Sequence, residues 1–259
     1  MVKISELILA MEELAPQAIA ESWDNVGLLV GDAGATAGHV LVALDVTDEV
    51  VEEANVLGAQ LIITHHPPIF KPLHAVNSDT ALGRRLIRLI RQGTAVFTAH
   101  TNLDIAQGGT NDTLAKILEL DDVEPLLPNG MGRVGTLPSS IELGKLCAML
   151  KTRLQTSYAA YAGDAARPIS RVGLCTGAAA GSPFFEAAAK LDCDAYITGD
   201  VRFHAAQAAK DLGLSLIDAT HYYSEIIILE PIREHLSLRF PSLHISTSNH
   251  NGQDMILIP

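Results

Sequence analysis

The chain has 259 residues, 48% hydrophobic and 19% charged, with a formal net charge of −12. That is enough apolar material for one large or two ordinary cores, and it excludes a wholly disordered chain. Thirty acidic residues against eighteen basic ones argue against a nucleic-acid binder, which needs clustered Lys and Arg. They leave room for a small anionic substrate met by a bound cation.

At the N-terminus, Ile4, Leu7, Ile8, Met11 and Leu14 recur at helical spacing. Glu6, Glu12 and Glu13 among them are wrong for a secretory signal. No run approaches the ~20 apolar residues that span a bilayer, so a soluble, cytoplasmic protein with no membrane partner is expected. WDNVGLLVG (23–31) reads as a turn entering a strand, with Trp23 packed and Asp24 or Asn25 capping. HVLVALDV (39–46), QLIIT (60–64) and TAVFTA (94–99) read as strands separated by helices at 48–58 and 82–93. This is a βαβαβ run, the mark of a parallel sheet. Arg84, Arg85, Arg88 and Arg91 on the second helix form an ordinary solvated face.

A similar run follows. RVGLCTG (171–177) parallels 39–45, EAAAKLDCDAYIT (186–198) parallels 52–64 with Thr198 at the place of Thr64, and GLSLIDA (213–219) parallels 93–99. The shared order points to an internal duplication: an α/β chain of two related three-layer lobes, each with a mostly parallel sheet. The first lobe is assigned to 1–125 and the second to 126–219, with 220–259 able to return to the first. PNGMGRVGTLP (128–138) marks turns at the crossing, and 139–154 reads as an amphipathic helix with Ser140 available as its cap. GLCTGAAAGS (173–182) is glycine-rich but lacks the G-K-[ST] of a P-loop. Cys147, Cys175 and Cys193 show no C-x-x-C spacing and read as buried, reduced side chains.

Three apolar strands end on imidazoles or carboxylates. LIIT runs into His65 and His66, and Pro67 then takes the chain out of the sheet at its carboxyl edge, where open α/β sheets place ligands. TAVFTA is followed by His100 and Asp104, and GLSLIDA by Thr220, His221 and Glu225. Spacing i, i+4 puts each of the last two pairs on one face if the segment is helical. Together they read as a shared metal site. Imidazole and carboxylate without thiolate suit Zn, Fe, Mn, Co or Ni. Five or six ligands exceed one tetrahedral ion and fit a pair, as in two-metal hydrolytic sites, with Glu225 the candidate bridge. His100 is either a ligand or a partner that orients Asp104 or the nucleophilic water. Thr64 matches Thr198, so Gly199 and Asp200 stand where His65 and His66 do, which favours one composite site over two. Asp200 and His204 are left as substrate-facing or orienting groups.

THHP, HTNLD, WDNVGLLVG, GMGRVG (130–135), ITGD (197–200) with His204, and HYYSE occur in one order across residues 23–225. In this the chain resembles the NIF-three-like dinuclear metal centre family, whose bacterial members carry the name GTP cyclohydrolase 1 type 2 homolog. The resemblance implies two α/β lobes, two divalent ions per subunit and a ring-shaped homohexamer. Carried over by motif, the ligands are His65, His66, Asp104, His221 and Glu225; His100 lies beside that set and is assigned separately, as the proton carrier of a hydrolase. Thr220 stands where the family usually has Gly, which bears on the shape of that loop. The expected function is a metal-dependent hydrolase acting on a small molecule, GTP by the family's name. The alternative is a non-catalytic metal-binding scaffold or adaptor.

Overall fold

The computed structural model describes residues 1–250, which form two compact units: Met1–Gln107 with the described residues from Ile228 onward, and Gly108–Ile227. The first unit opens with β1 (Val2–Lys3), α1 (Ile4–Leu14), β2 (Gly27–Val30), β3 (Thr36–Ala37), β4 (His39–Ala43), α2 (Asp48–Leu57), β5 (Leu61–Thr64), α3 (Ala81–Gln92), β6 (Ala95–Thr98) and α4 (Thr101–Ile105). The second unit holds α5 (Thr110–Ile117), β7 (Asp121–Pro125), β8 (Arg133–Glu142), α6 (Leu143–Arg153), β9 (Ala160–Ala162), β10 (Pro168–Leu174), α7 (Phe184–Lys190), β11 (Ala195–Thr198), α8 (Phe203–Asp211), β12 (Ser215–Asp218) and α9 (His221–Glu225). α10 (Leu229–Arg239) and β13 (His244–Thr247) return to the first unit.

In the first unit the sheet order is β13-β4-β5-β6-β2, parallel except for β2. β5 and β6 are buried along their whole length, as expected of parallel strands covered on both faces. Leu41, Ala43, Ile62 and Val96 face Val50, Val51, Ala54, Leu86 and Leu89 of α2 and α3. The alternate residues Val40, Val42, Ile63 and Phe97 are equally buried, and α10 packs on β4 and β13. Both helices on the first face are capped at each end. Thr47 and Thr80 accept from the N–H of Val50 and Gly83, and Gly58 and Gly93 close them at positive φ. The arginine face of α3 is engaged locally: Arg85 pairs with Asp48 at 3.0 Å and Arg88 with Glu52.

In the second unit the sheet order is β7-β8-β10-β11-β12-β9. β10, β11 and β12 are parallel, and the outer strands pair antiparallel. α5 and α6 cover one face through Leu114, Leu118, Leu143, Leu146, Leu150 and Leu154. On another part of the sheet, Phe185 of α7 meets Tyr196 of β11 with ring centroids 5.4 Å apart. The run β10-α7-β11-α8-β12-α9 repeats the order β4-α2-β5-α3-β6-α4, and Thr64 and Thr198 both end the middle strand.

Three expectations are corrected. The first unit ends at Gln107 rather than 125, because α5 packs into the second core, and 220–227 also stays with the second unit. Of the segment expected to return, only the part from Ile228 does so, and 251–259 lie outside the described residues. Ser140 does not cap α6. Ile141 and Glu142 pair with Ile169 and Pro168 in the sheet, so the helix starts only at Leu143.

The three cysteines are buried and none is in a disulfide. Burial pushes the Cys193 thiol up to about 12 and the Cys147 thiol in the same direction. Since the thiolate is the reactive form, both are expected to resist a thiol reagent at pH 8 in the native protein and to react once it is unfolded in denaturant. Rapid native labelling, read by intact mass, would contradict this. Among the described residues no helix is long and apolar enough to cross a membrane.

Candidate metal centre

Each unit places its candidate residues just past the carboxyl ends of its parallel strands. In the first unit β5 delivers His65 and His66. His65 is fully buried. Its Nδ1 lies 3.0 Å from the Ala99 carbonyl oxygen, and because a carbonyl only accepts, Nδ1 carries the hydrogen and the lone pair sits on Nε2. That Nε2 is 3.6 Å from Oδ1 of Asp104 on α4. The His66 Nδ1 lies 2.9 Å from Oδ1 of Asp45, just after β4. β6 leads to His100, whose Nδ1 is 2.9 Å from Oδ1 of Asp24. His100 is the cap before α4 and not part of it, so the helical-face spacing expected for His100 and Asp104 does not apply. One ligand atom from each of His65, His66 and His100 lies within 4.8 Å of the other two.

Asp24, expected as a turn cap, is the hub of this group. Its side chain is fully enclosed and accepts from His100, from the Thr101 backbone at 3.0 Å and from the Thr101 hydroxyl. Burial works to raise its pKa. The bonds from His100 and Thr101 outweigh that, and the carboxyl lies well below the ordinary carboxylate range. Trp23 beside it is not packed as expected but 58% exposed.

In the second unit α9 carries both predicted residues. His221 Nδ1 is 2.9 Å from Oδ2 of Asp200, and its Nε2 is 3.0 Å from Oε2 of Glu225, a turn later. Glu225 is 3% exposed. Asp200, left open by the sequence, is thus the partner that orients His221. His204 is not in this group: it is exposed and its Nδ1 bonds Gln207 on its own helix at 3.0 Å. Gly199 explains why the imidazole of His65 has no counterpart here. A Cβ at Gly199 would sit 2.4 Å from the His221 backbone nitrogen, so α9 crosses where a side chain would have to go. Gly177 is equally tight, its virtual Cβ falling 2.1 Å from Glu225 Oε1. Thr220 sits at φ 63°, a region glycine enters more readily, and its hydroxyl caps α9 by accepting from the Tyr223 N–H at 3.2 Å.

All four imidazoles have Nδ1 on an oxygen acceptor, which leaves the Nε2 lone pair of His65, His66 and His100 for a metal, while His221 has a carboxylate oxygen against each ring nitrogen. Nδ1 held on an oxygen is how metal-ligating histidines are oriented. Metal–imidazole bonds are about 2.0–2.1 Å, so two ligands of one ion stand up to about 4.2 Å apart. Donor atoms already within 4.8 Å of one another need little adjustment, and the His/Glu chemistry of the groups fits a divalent cation. Asp45 and Asp24 were missed as orienting groups because their partners lie 21 and 76 residues away; Asp200, kept open as an orienting group, is 21 residues from His221. The signal available was only an aspartate in a loop flanking each strand.

The sequence profile of the Duf34/NIF3 (NGG1p interacting factor 3) family matches residues 2–252. A Clostridium perfringens protein named GTP cyclohydrolase 1 type 2 homolog is 37% identical over 246 residues, covering 93% of each chain. A Lactococcus lactis protein of the same name is 36% identical over 234 residues, covering 87% of this chain and 88% of its own. Among solved structures, a Bacillus cereus protein related to NIF3 superposes with a TM-score of 0.92 at 25% identity over 98% of both chains. A Staphylococcus aureus protein does so with 0.92 at 27% identity over 99% of both. With this profile match and these relatives, the chain belongs to the Duf34/NIF3 family.

Proposed function

We propose that this protein is a metal-dependent hydrolase of a small anionic substrate, with GTP the first to test. Its ligands are His65, His66, Asp104, His221 and Glu225, holding two divalent ions per chain, and His100 is the proton carrier. The observation that carries the reading is that all four imidazoles have Nδ1 on an oxygen, with one ligand atom from each of His65, His66 and His100 within 4.8 Å of the other two. The names of the relatives support the choice of GTP. A divalent ion held by these residues would lower the pKa of water toward neutrality and polarise the substrate. The chain supplies the rest. Asp45 and Asp200 hold His66 and His221 in the ligating tautomer. Asp24 does the same for His100 and leaves its Nε2 able to take and return a proton. The protein acts as a cytoplasmic homo-oligomer, a hexamer by the family resemblance.

The deciding experiment is metal content by elemental mass spectrometry, on protein purified without chelator or metal-affinity resin. About two ions of Zn, Fe, Mn, Co or Ni per chain is the expected result. A chain that stays near zero after reconstitution with each metal overturns the reading. His100→Ala is expected to keep its metal and lose turnover of GTP. Loss of metal would instead make His100 a ligand.

A further inference from the structure

Trp23 is the chain's sole tryptophan, and burial is the usual fate of a ring that size. Here it is 58% exposed beside Phe70, which is 47% exposed. The two rings meet edge to face, centroids 5.9 Å apart and planes at 66°. They are held in place from both sides. Asn25, two residues after Trp23, donates its side-chain N–H to the Ile69 carbonyl and so ties the Trp23 segment to the one bearing Phe70. Asp24, between Trp23 and Asn25, is anchored by His100 and Thr101. Trp23 and Phe70 stand 6.4 and 6.5 Å from the His100 imidazole, at 78° and 79° to it. Two partly exposed aromatic rings therefore stand beside His100 of the donor group.

Resting on the hydrolase reading, we propose that Trp23 stacks the planar base of a purine nucleotide beside this imidazole group, with Phe70, set at 66° to it, as the second apolar wall. Stacking suits this place because a base offers a flat π-face, and binding it withdraws two exposed aromatics from water. The chain's net charge of −12 gives no general attraction for a nucleotide. Its phosphates fall to the bound cations, and the base needs an uncharged anchor. The WDN segment then has one task per residue: Trp23 for the base, Asp24 for His100, and Asn25 to hold the loop that carries Phe70.

The sole tryptophan makes the test direct. With metal-reconstituted protein, GTP is expected to change Trp23 emission saturably, and inorganic triphosphate, which has no base, to leave it unchanged. By calorimetry, Trp23→Ala should weaken GTP about tenfold, equal to about 1.4 kcal/mol, with metal content and triphosphate affinity kept. Trp23→Phe, which keeps an aromatic face, should stay within about threefold of the parent. Unchanged emission with GTP, or equal GTP affinity in Trp23→Ala, overturns the stacking role. So does a Trp23 that acrylamide cannot reach in ligand-free protein, since a second copy of the chain would then cover it. The hydrolase reading fails separately, if metal-loaded protein binds GTP through Trp23 and yet converts none of it.

Discussion

Replacing Glu225 with alanine is expected to lower divalent-metal affinity by more than about 100-fold, beyond the roughly 10–100-fold typical of losing an orienting partner. Glu225 ends α9, is almost completely buried, and faces the same nitrogen of His221 that would bind metal, at 3.0 Å. Removing it takes away a charged donor and leaves His221 oriented from the Asp200 side alone. Glu225→Gln keeps the volume and removes the charge, so a loss of metal in both variants assigns the effect to the carboxylate. Competition with a chelator of known affinity gives the magnitude, and circular dichroism shows that the fold is retained. Parent-like metal affinity in Glu225→Ala would remove this residue from the ligand set.

Gly177→Ala tests the same carboxylate without touching it. Gly177 has φ of +70°, and an added methyl would lie 2.1 Å from Glu225 Oε1 and 3.6 Å from His221 Nε2. Left-handed backbone costs a non-glycine residue about 1–2 kcal/mol, and overpacking about 1–3 kcal/mol more. Their sum corresponds to a fall in Tm of roughly 4–20 °C for a chain of this size. The displaced carboxylate should also weaken metal binding. Gly93→Ala is the matched control, because Gly93 has the same φ of +70° and nothing within 4 Å of its virtual Cβ. It bears the backbone strain alone and should keep its metal. Equal metal binding and equal Tm in the two variants would mean that Glu225 has room to move and is not held by packing.

Much of this was legible in advance where physics acts over short distances. The β4-α2-β5-α3-β6 run and its echo were readable because apolar strands alternating with helical segments are local signals. His65, His66, His100 and Asp104 could be grouped because adjacent parallel strands must end on one edge of a sheet. The outer strands were harder. β7 is exposed throughout and β9 has three residues, so neither carries a buried alternating pattern. β8 begins inside a glycine-rich stretch that reads as turn. Arg133 opens it, buried with its guanidinium on Asp112 and on the carbonyls of Gly130 and Gly132 at 2.8 Å, an arrangement no local pattern announces.

The sequence by itself determined the α/β class, the repeated unit and the residue types that could bind a metal, because hydrophobic period and strand-end chemistry are written within a few residues. Only the tertiary structure decided which carboxylate orients which imidazole, why Gly177 and Gly199 must lack a side chain, and that Trp23 faces water while Asp24 turns inward. Those are outcomes of close packing among segments distant along the chain. Side-chain direction and free space exist there only after the strands have been brought into register.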